Sequence, residues 1–106
     1  MPKYLIEASY TVDGVKGLLK EGGSSRRTAV ETTAKALGGS LESLYYVFGD
    51  DDLIAIMELP DNTAAAAFSL AVSAAGAATS SIRVLLTPQE IDAAAKLRVD
   101  YRAPRG

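Results

Sequence analysis

The stretch LESLYYVFGDDDLIAIMEL, residues 41–59, decides the fold of this chain. Two runs rich in Leu, Ile, Tyr and Phe flank a short polar turn at 49–51. Glycine and aspartate are preferred in turns, and two strands joined by so few residues pair antiparallel. The sequence therefore predicts a β-hairpin whose strands are Leu41–Phe48 and Asp52–Leu59.

Strands and helices alternate on both sides of this hairpin. The alternating residues 3–10 predict a half-buried first strand, and residues 81–86 predict the last core strand. One helix is expected before the hairpin, over 25–37, and another after it, from 61 to about 75. The resulting order, β-α-β-β-α-β, predicts an α+β, ferredoxin-like fold: a four-stranded antiparallel sheet with helices on one face.

Two shorter helices are expected in addition. Residues 11–20, with Thr11 as cap, follow the first strand, and the run Thr-Pro-Gln-Glu at 87–90 begins a C-terminal helix. We expect one domain over residues 1–97. Residues 98–106 are expected to form a loose tail or an arm onto a neighbouring subunit.

The composition excludes several kinds of site. The chain has 106 residues and contains no histidine and no cysteine, so Ser–His–Asp triads, thiol nucleophiles and the usual zinc ligand sets cannot form within it. A net charge of −2 does not favour a nucleic-acid partner, and no run is long and apolar enough to predict a membrane span. We expect a cytoplasmic protein with no cofactor and no metal.

The faces of the predicted sheet indicate an oligomer. Alternation along the strands places one set of apolar residues under the helices: Ile6, Leu44, Ile54, Ile56, Val84 and Leu86. It places another set on the opposite face: Leu5, Glu7, Ser9, Ser43, Tyr45, Val47, Leu53, Met57, Ser81, Arg83 and Leu85. This second set is too apolar to face water over its whole area. We expect a second copy to stack there, forming a homodimer or larger homo-oligomer around a cavity.

The polar members of that face are candidate ligand-binding residues. Glu7, Tyr45 and Arg83 alternate onto the same side, so we expect them to converge at the cavity. Glu7 and Tyr45 would be the acid–base pair if the protein were an enzyme. The alternative is structural: the first and fourth strands are neighbours in this fold, so Glu7 and Arg83 could form a cross-strand ion pair.

A second candidate site lies at the start of the first long helix. Its members are Gly23, Ser24, Ser25, Arg26 and Arg27. The free N–H groups and the dipole of a helix N-terminus favour an anion, and two arginines add positive charge. The predicted ligand is a carboxylate or a phosphate. The alternative is that both arginines pair with acidic side chains.

Two further groups of residues have mainly structural interpretations. Asp50, Asp51 and Asp52 could gather a hard cation, but consecutive aspartates in a tight turn do not point together, which favours a solvated turn. The tyrosines on the strands are expected to pack in the core with their hydroxyls at an edge.

The sequence resembles the GYD-domain family over about residues 4–95. The motifs that carry the resemblance are YTVDGVKGLLKEGG (10–23), the arginines 26–27, LGG (37–39), the hairpin 45–52, SLAVS (69–73), Gly76 and LLTPQE (85–90). One departure is Asp51, where the Gly-Tyr-Asp motif of the family name leads one to expect Tyr. The resemblance implies a ferredoxin-like fold of the dimeric α+β barrel group, and it implies no particular activity.

Three functions are compatible with these observations. The leading interpretation is a homo-oligomer that binds a small organic molecule, neutral or anionic, in a cavity on the sheet face. The second is a cofactor-independent isomerase, cyclase or oxygenase of the dimeric α+β barrel kind. The third is a purely structural or regulatory oligomer with a filled interior. The lack of histidine weighs against the enzyme, because histidine is the commonest acid–base residue near neutral pH.

Overall fold

A computed structural model describes residues 1–47 and 49–105. The strands are β1 (Lys3–Tyr10), β2 (Ser40–Tyr46), β3 (Leu53–Glu58) and β4 (Ala78–Leu85). The helices are α1 (Val12–Glu21), α2 (Gly23–Ala36), α3 (Asn62–Ala75) and α4 (Pro88–Ala95). Phe48, which we expected to end β2, lies outside the described residues.

The strands form one antiparallel sheet in the order β2-β3-β1-β4. β3 lies between β1 and β2, and β1 lies between β3 and β4, so each βαβ unit is split by a third strand. This arrangement confirms the predicted α+β, ferredoxin-like fold. α2 packs near β2 and α3 near β4, which places the two long helices over opposite edges of the sheet.

Short polar side chains fix where three helices begin. Thr11 accepts a hydrogen bond from the Gly14 N–H, and Asp61 accepts one from the Ala64 N–H. Thr87 and Glu90 form a reciprocal capping box at the start of α4. Each contact satisfies a backbone donor that has no partner within its own helix, as the sequence pattern predicts.

The core lies between the sheet and the long helices. Its buried members are Tyr4, Ile6, Ala8, Ala34, Leu41, Leu53, Ala55, Met57, Leu59, Ala65, Phe68 and Ala78. A bulge in β2 between Leu41 and Ser43 lets both Leu41 and Leu44 face this side. Tyr4 is buried with its hydroxyl donating to Asn62 Oδ1 at 2.7 Å, which fits the expectation for strand tyrosines. We call this side of the sheet the covered face.

The predicted face assignment of β3 is wrong. Leu53 and Met57 lie on the covered face, while Ile54 and Ile56 lie on the opposite side, which we call the open face. The reason is that β3 is apolar on both sides, so alternation alone does not tell which side turns toward the helices. Pairing with β1, in which Ile56 lies opposite Leu5, sets the phase.

The last strand also differs from the prediction. β4 begins at Ala78 rather than Ser81, because it pairs along the whole of β1 up to the Tyr10–Ala78 pair. Leu86, which we expected under the helices, follows the end of β4 and is exposed.

The C-terminal part stands away from the sheet and helices. Residues 86–105 are all exposed, including the apolar side chains of Ile91, Leu97, Val99 and Tyr101. The radius of gyration is 16.9 Å, against about 13 Å for a typical domain of this size, and the longest dimension is 55 Å. We call residues 86–105 the C-terminal arm.

Candidate functional site

The open face of the sheet is apolar along its middle strands. Leu5 lies between Ile56 on β3 and Arg83 on β4, and Ile54 lies between Glu7 and Tyr45. These positions are half-buried to exposed, and none of them belongs to the buried core cluster. The open face therefore combines an apolar centre with a few polar side chains at defined register positions.

Glu7 and Arg83 form an ion pair on this face. Glu7 lies opposite Ser81, so Arg83 reaches it diagonally, and its Nη2 donates to Glu7 Oε1. The Glu7 side chain is 19% exposed and the Arg83 side chain 65%. This contact is the cross-strand ion pair expected from the sequence as the structural alternative. A ligand-binding role for the two residues stays a prediction.

Tyr45 does not join this pair. Ile54 lies directly between Tyr45 and Glu7 in the strand register, which separates their backbones by two strand spacings, about 10 Å. Tyr45 is 70% exposed. The structure thus brings together Glu7 and Arg83, and it leaves the candidate acid–base pair Glu7 and Tyr45 apart.

The two arginines near the start of α2 diverge. Arg27 contacts Glu31 one helical turn later, at 3.0 Å, and Arg26 contacts Glu21 of α1 at 3.5 Å. Both guanidinium groups therefore have acidic partners, which is the alternative to the anion site. Anion binding at the amides of Gly23, Ser24 and Ser25 stays a prediction. Gly23 itself accepts a hydrogen bond from the Tyr46 hydroxyl through its carbonyl oxygen, at 3.0 Å.

Sequence reasoning missed a cleft on the helix side. The cleft lies between α2, α3 and the sheet. It consists of an outer space of about 190 Å³ and an inner space of about 60 Å³, which have several lining residues in common. The shared lining residues are Tyr10, Arg26, Val30, Phe68, Val72 and Ala78. The alanine-rich sequence of α3 could have indicated this cleft, because alanine side chains are too small to fill the space beside a neighbouring helix.

Polar groups occur at the bottom and the side of this cleft. Ser80 lines the inner space, and its buried Oγ has no hydrogen-bond partner among the described residues. Burial raises the pKa of the Tyr10 hydroxyl; nearby Tyr46 adds to the increase and Arg26 opposes it. The cleft is therefore a largely apolar space whose lining includes one cation, Arg26, and three residues with hydroxyl groups, Tyr10, Thr33 and Ser80.

The model of the GYD domain matches residues 4–95 of this chain. The chain belongs to the GYD-domain family. The match covers all four strands and α1 to α4, so the resemblance seen in the sequence is confirmed. Comparison with curated proteins and with solved structures found no match.

The turn in which this GYD-domain protein departs from the family-name motif has a structural role. The Tyr10 N–H donates to Asp52 Oδ2 at 2.8 Å, and the Ser9 hydroxyl lies 3.2 Å from Asp51 Oδ1. The side chains of Asp51 and Asp52 therefore hold the end of β1 against the β2–β3 turn, and the backbone carbonyl of Asp50 accepts a further bond from the Ser9 hydroxyl at 3.1 Å. Across residues 1–47 and 49–105, no group of three or more acidic side chains is arranged to hold a metal ion.

Among the described residues, none of the helices combines the length and the hydropathy needed to cross a bilayer.

Proposed function

We propose that this GYD-domain protein is a homo-oligomer that assembles through its open face and binds a small organic molecule in the space between the copies. The observation that carries the proposal is the apolar centre of the open face, formed by Leu5, Ile54, Ile56 and Leu85. An apolar surface of this kind on a soluble domain is typical of an interface or a binding groove. Two stacked sheets pack about 10 Å apart, so their side chains exclude water from the space between them.

The charges of the open face are compatible with burial in an interface. The carboxylate of Glu7 is already neutralised by Arg83, and Lys3 is paired with Glu42 at the edge. The hydrogen bond to Glu42, together with its charge, raises the pKa of the Lys3 ammonium. A second sheet could therefore cover these pairs without burying an isolated charge, which would be strongly unfavourable.

The proposed ligand site lies beside Arg83. A guanidinium has five N–H donors, and among the described residues Glu7 is the acceptor that engages one of them. The remaining donors suit a carboxylate or another anionic oxygen. Tyr45, on the far side of Ile54, would supply a hydroxyl at the other end of the same space.

The C-terminal arm gives independent support for assembly. α4 has eight residues, and isolated helices of this length are not stable in water even with a good cap. The apolar side chains of the arm, Ile91 within α4 and Leu97 just after it, are exposed in the single chain. A second copy would supply a surface on which the arm can bury them.

Sedimentation velocity at micromolar concentration tests the assembly. We expect a dimer or larger species for the native chain and a monomer for Leu85→Lys, which places an unpaired charge in the interface. Leu70→Lys is the matched control, because Leu70 is exposed on α3, on the helix side. A native chain that sediments as a monomer would contradict the proposal, as would equal effects of the two variants.

Mass spectrometry tests the ligand. Under native conditions we expect the purified oligomer to carry a mass excess that is released on denaturation. The excess should be absent from the double variant Glu7→Gln/Arg83→Gln, which removes both charges of the pair together and therefore keeps the oligomeric state. An excess that persists in this double variant would place the molecule elsewhere.

A further inference from the structure

The cleft between α2 and α3 has features that packing alone does not explain. Its floor is formed by covered-face residues of the sheet, including Ala55 and Ser80, and its walls by Val30, Phe68 and Val72. The long helices lie over opposite sheet edges, and the small side chains between them do not close the gap. A gap of this kind forfeits dispersion contacts along its lining, so an occupant of matching shape would restore them.

Ser80 is the clearest indication of an occupant. Its Oγ has almost no accessible surface and no hydrogen-bond partner among the described residues, while the residue itself lines the inner space. Leaving a buried hydroxyl unpaired is unfavourable, and native proteins pair the large majority of such groups. Rotation of the Ser80 side chain to another rotamer would turn the hydroxyl into the inner space, where a polar group at the inner end of a ligand would satisfy it.

Arg26 and Tyr10 supply complementary chemistry nearer the opening. Arg26 lines both the outer and the inner space, and the contact of its guanidinium with Glu21 is long, at 3.5 Å. A ligand carboxylate could accept from the remaining donors of Arg26 with shorter contacts, because a guanidinium pairs well with a carboxylate. The Tyr10 hydroxyl, whose burial favours its neutral form, is a donor beside it.

The volume limits the size of the ligand. The outer space measures about 190 Å³. An apolar cavity of about 150 Å³ accommodates a benzene molecule. The cleft is therefore of the size of one aromatic ring with short substituents, and the ring of Phe68 and the methyl groups of Val72 form an apolar wall for it.

We propose that this cleft binds a single-ring aromatic carboxylate that carries a second polar group opposite the carboxylate. The carboxylate lies against Arg26 and Tyr10, the ring lies between Val30 and Phe68, and the second polar group bonds with Ser80 Oγ. The site is on the covered face and uses none of the open-face residues. A test of this site is therefore independent of a test of the oligomer proposed above.

Three probes separate the parts of this site: 4-hydroxybenzoate, benzoate, which lacks the inner hydroxyl, and 4-hydroxybenzamide, which lacks the charge. Titration of the full chain is followed by ¹H–¹⁵N correlation spectra. We expect saturable shifts at cleft residues such as Val72 and Ala78 with 4-hydroxybenzoate, while Ile54 and Ile56 stay unchanged. The amide is expected to bind about tenfold more weakly, and benzoate about fivefold more weakly, than 4-hydroxybenzoate.

Neighbouring residues provide matched controls. Ser80→Ala should abolish the preference for 4-hydroxybenzoate over benzoate, and Ser81→Ala, on the open face, should keep it. Arg26→Gln should abolish the preference for the carboxylate over the amide, and Arg27→Gln, which loses the contact with Glu31, should keep it. Ser80→Ala removes an unpaired hydroxyl, so its spectrum should show an intact fold.

Several outcomes would overturn the site. Absence of saturable shifts with all three probes at millimolar concentration is one, and shifts confined to Ile54 and Ile56 are another. Equal losses in Arg26→Gln and Arg27→Gln would remove Arg26 from the site. An undiminished hydroxyl preference in Ser80→Ala would remove Ser80 from it.

Discussion

The two faces of the sheet are both apolar, but only one of them is covered within the chain. On the covered face, Met57 is fully buried beneath the helices, whereas its neighbour Ile56 on the open face is partly exposed. The two residues are adjacent on one strand and similar in hydrophobicity. Whether an apolar strand residue is buried here therefore depends on what lies across from it rather than on its own chemistry.

The two faces also close in different ways. The contact between the covered face and the helices is made by small residues such as Ala55 of β3 and Ala34 of α2. These residues allow the helices to approach the sheet, but they leave the cleft beside Phe68. The open face relies on larger side chains, Ile54 and Ile56, which a second sheet could interdigitate with. One face is therefore completed inside the chain and the other is suited to completion by assembly.

The largest expected effect is that of a charge on each face of β3. Met57→Lys should destabilise the fold by about 4 kcal/mol or more, because it removes a buried side chain and buries an ammonium without a partner. Ile56→Lys should leave the stability of the folded chain within about 1 kcal/mol and abolish assembly. Urea unfolding of both variants below the assembly concentration measures the comparison. Equal destabilisation would mean that the faces do not differ as described.

The next effect concerns the ion pair on the open face. Glu7→Gln should weaken association by about 2 kcal/mol, or about 30-fold, because Arg83 would be covered by the second copy without its partner. Glu42→Gln, which disrupts the pair with Lys3 at the sheet edge, should weaken it less. Sedimentation equilibrium measures both dissociation constants. Similar constants for the two variants would show that Glu7 and Arg83 remain in water.

A smaller effect is expected for the tyrosine hydroxyls on the two faces. Tyr4→Phe removes the bond from the buried Tyr4 hydroxyl to Asn62 and should reduce the free energy of unfolding by about 1 kcal/mol. Tyr45→Phe, at an exposed position of the open face, should change it by less than about 0.5 kcal/mol in the dissociated chain. Thermal or urea unfolding distinguishes them, and a larger loss in Tyr45→Phe would reverse the assignment of faces.

The smallest effect is a pH dependence on the covered face. The raised pKa of folded Tyr10 means that the unfolded chain loses this proton first as the pH rises. The contribution of Tyr10 to stability is therefore fully present below about pH 10 and is lost as the pH rises through the folded pKa. Tyr10→Phe should flatten the decrease in stability above pH 10, as measured by urea unfolding at several pH values. An identical slope in both proteins would contradict the assignment.

Much of the fold was predictable because its signals are local. The caps at Thr11, Asp61 and Thr87 follow from side chains that bond within three residues, and the β2–β3 turn follows from its glycine and aspartates. The Glu7–Arg83 pair was predictable as one of two alternatives, because it needs only the strand order of the fold. The cleft lined by Ser80 was not predictable from the sequence, because α2, α3 and the sheet together form it.

The order of the elements, the starts of α1, α3 and α4 and the apolar character of both sides of β3 follow from the sequence alone, since each depends on neighbouring residues along the chain. The start of α2 does not, because α2 begins at Gly23 without a side-chain cap. Which side of β3 is covered depends on contacts between elements that are distant in the sequence. Alternation with a period of two divides a strand into two sets but does not label them, and where both sets are apolar the burial preference is nearly the same. Pairing of Leu5 with Ile56, and the position of α2 and α3 above the other side, removes that ambiguity.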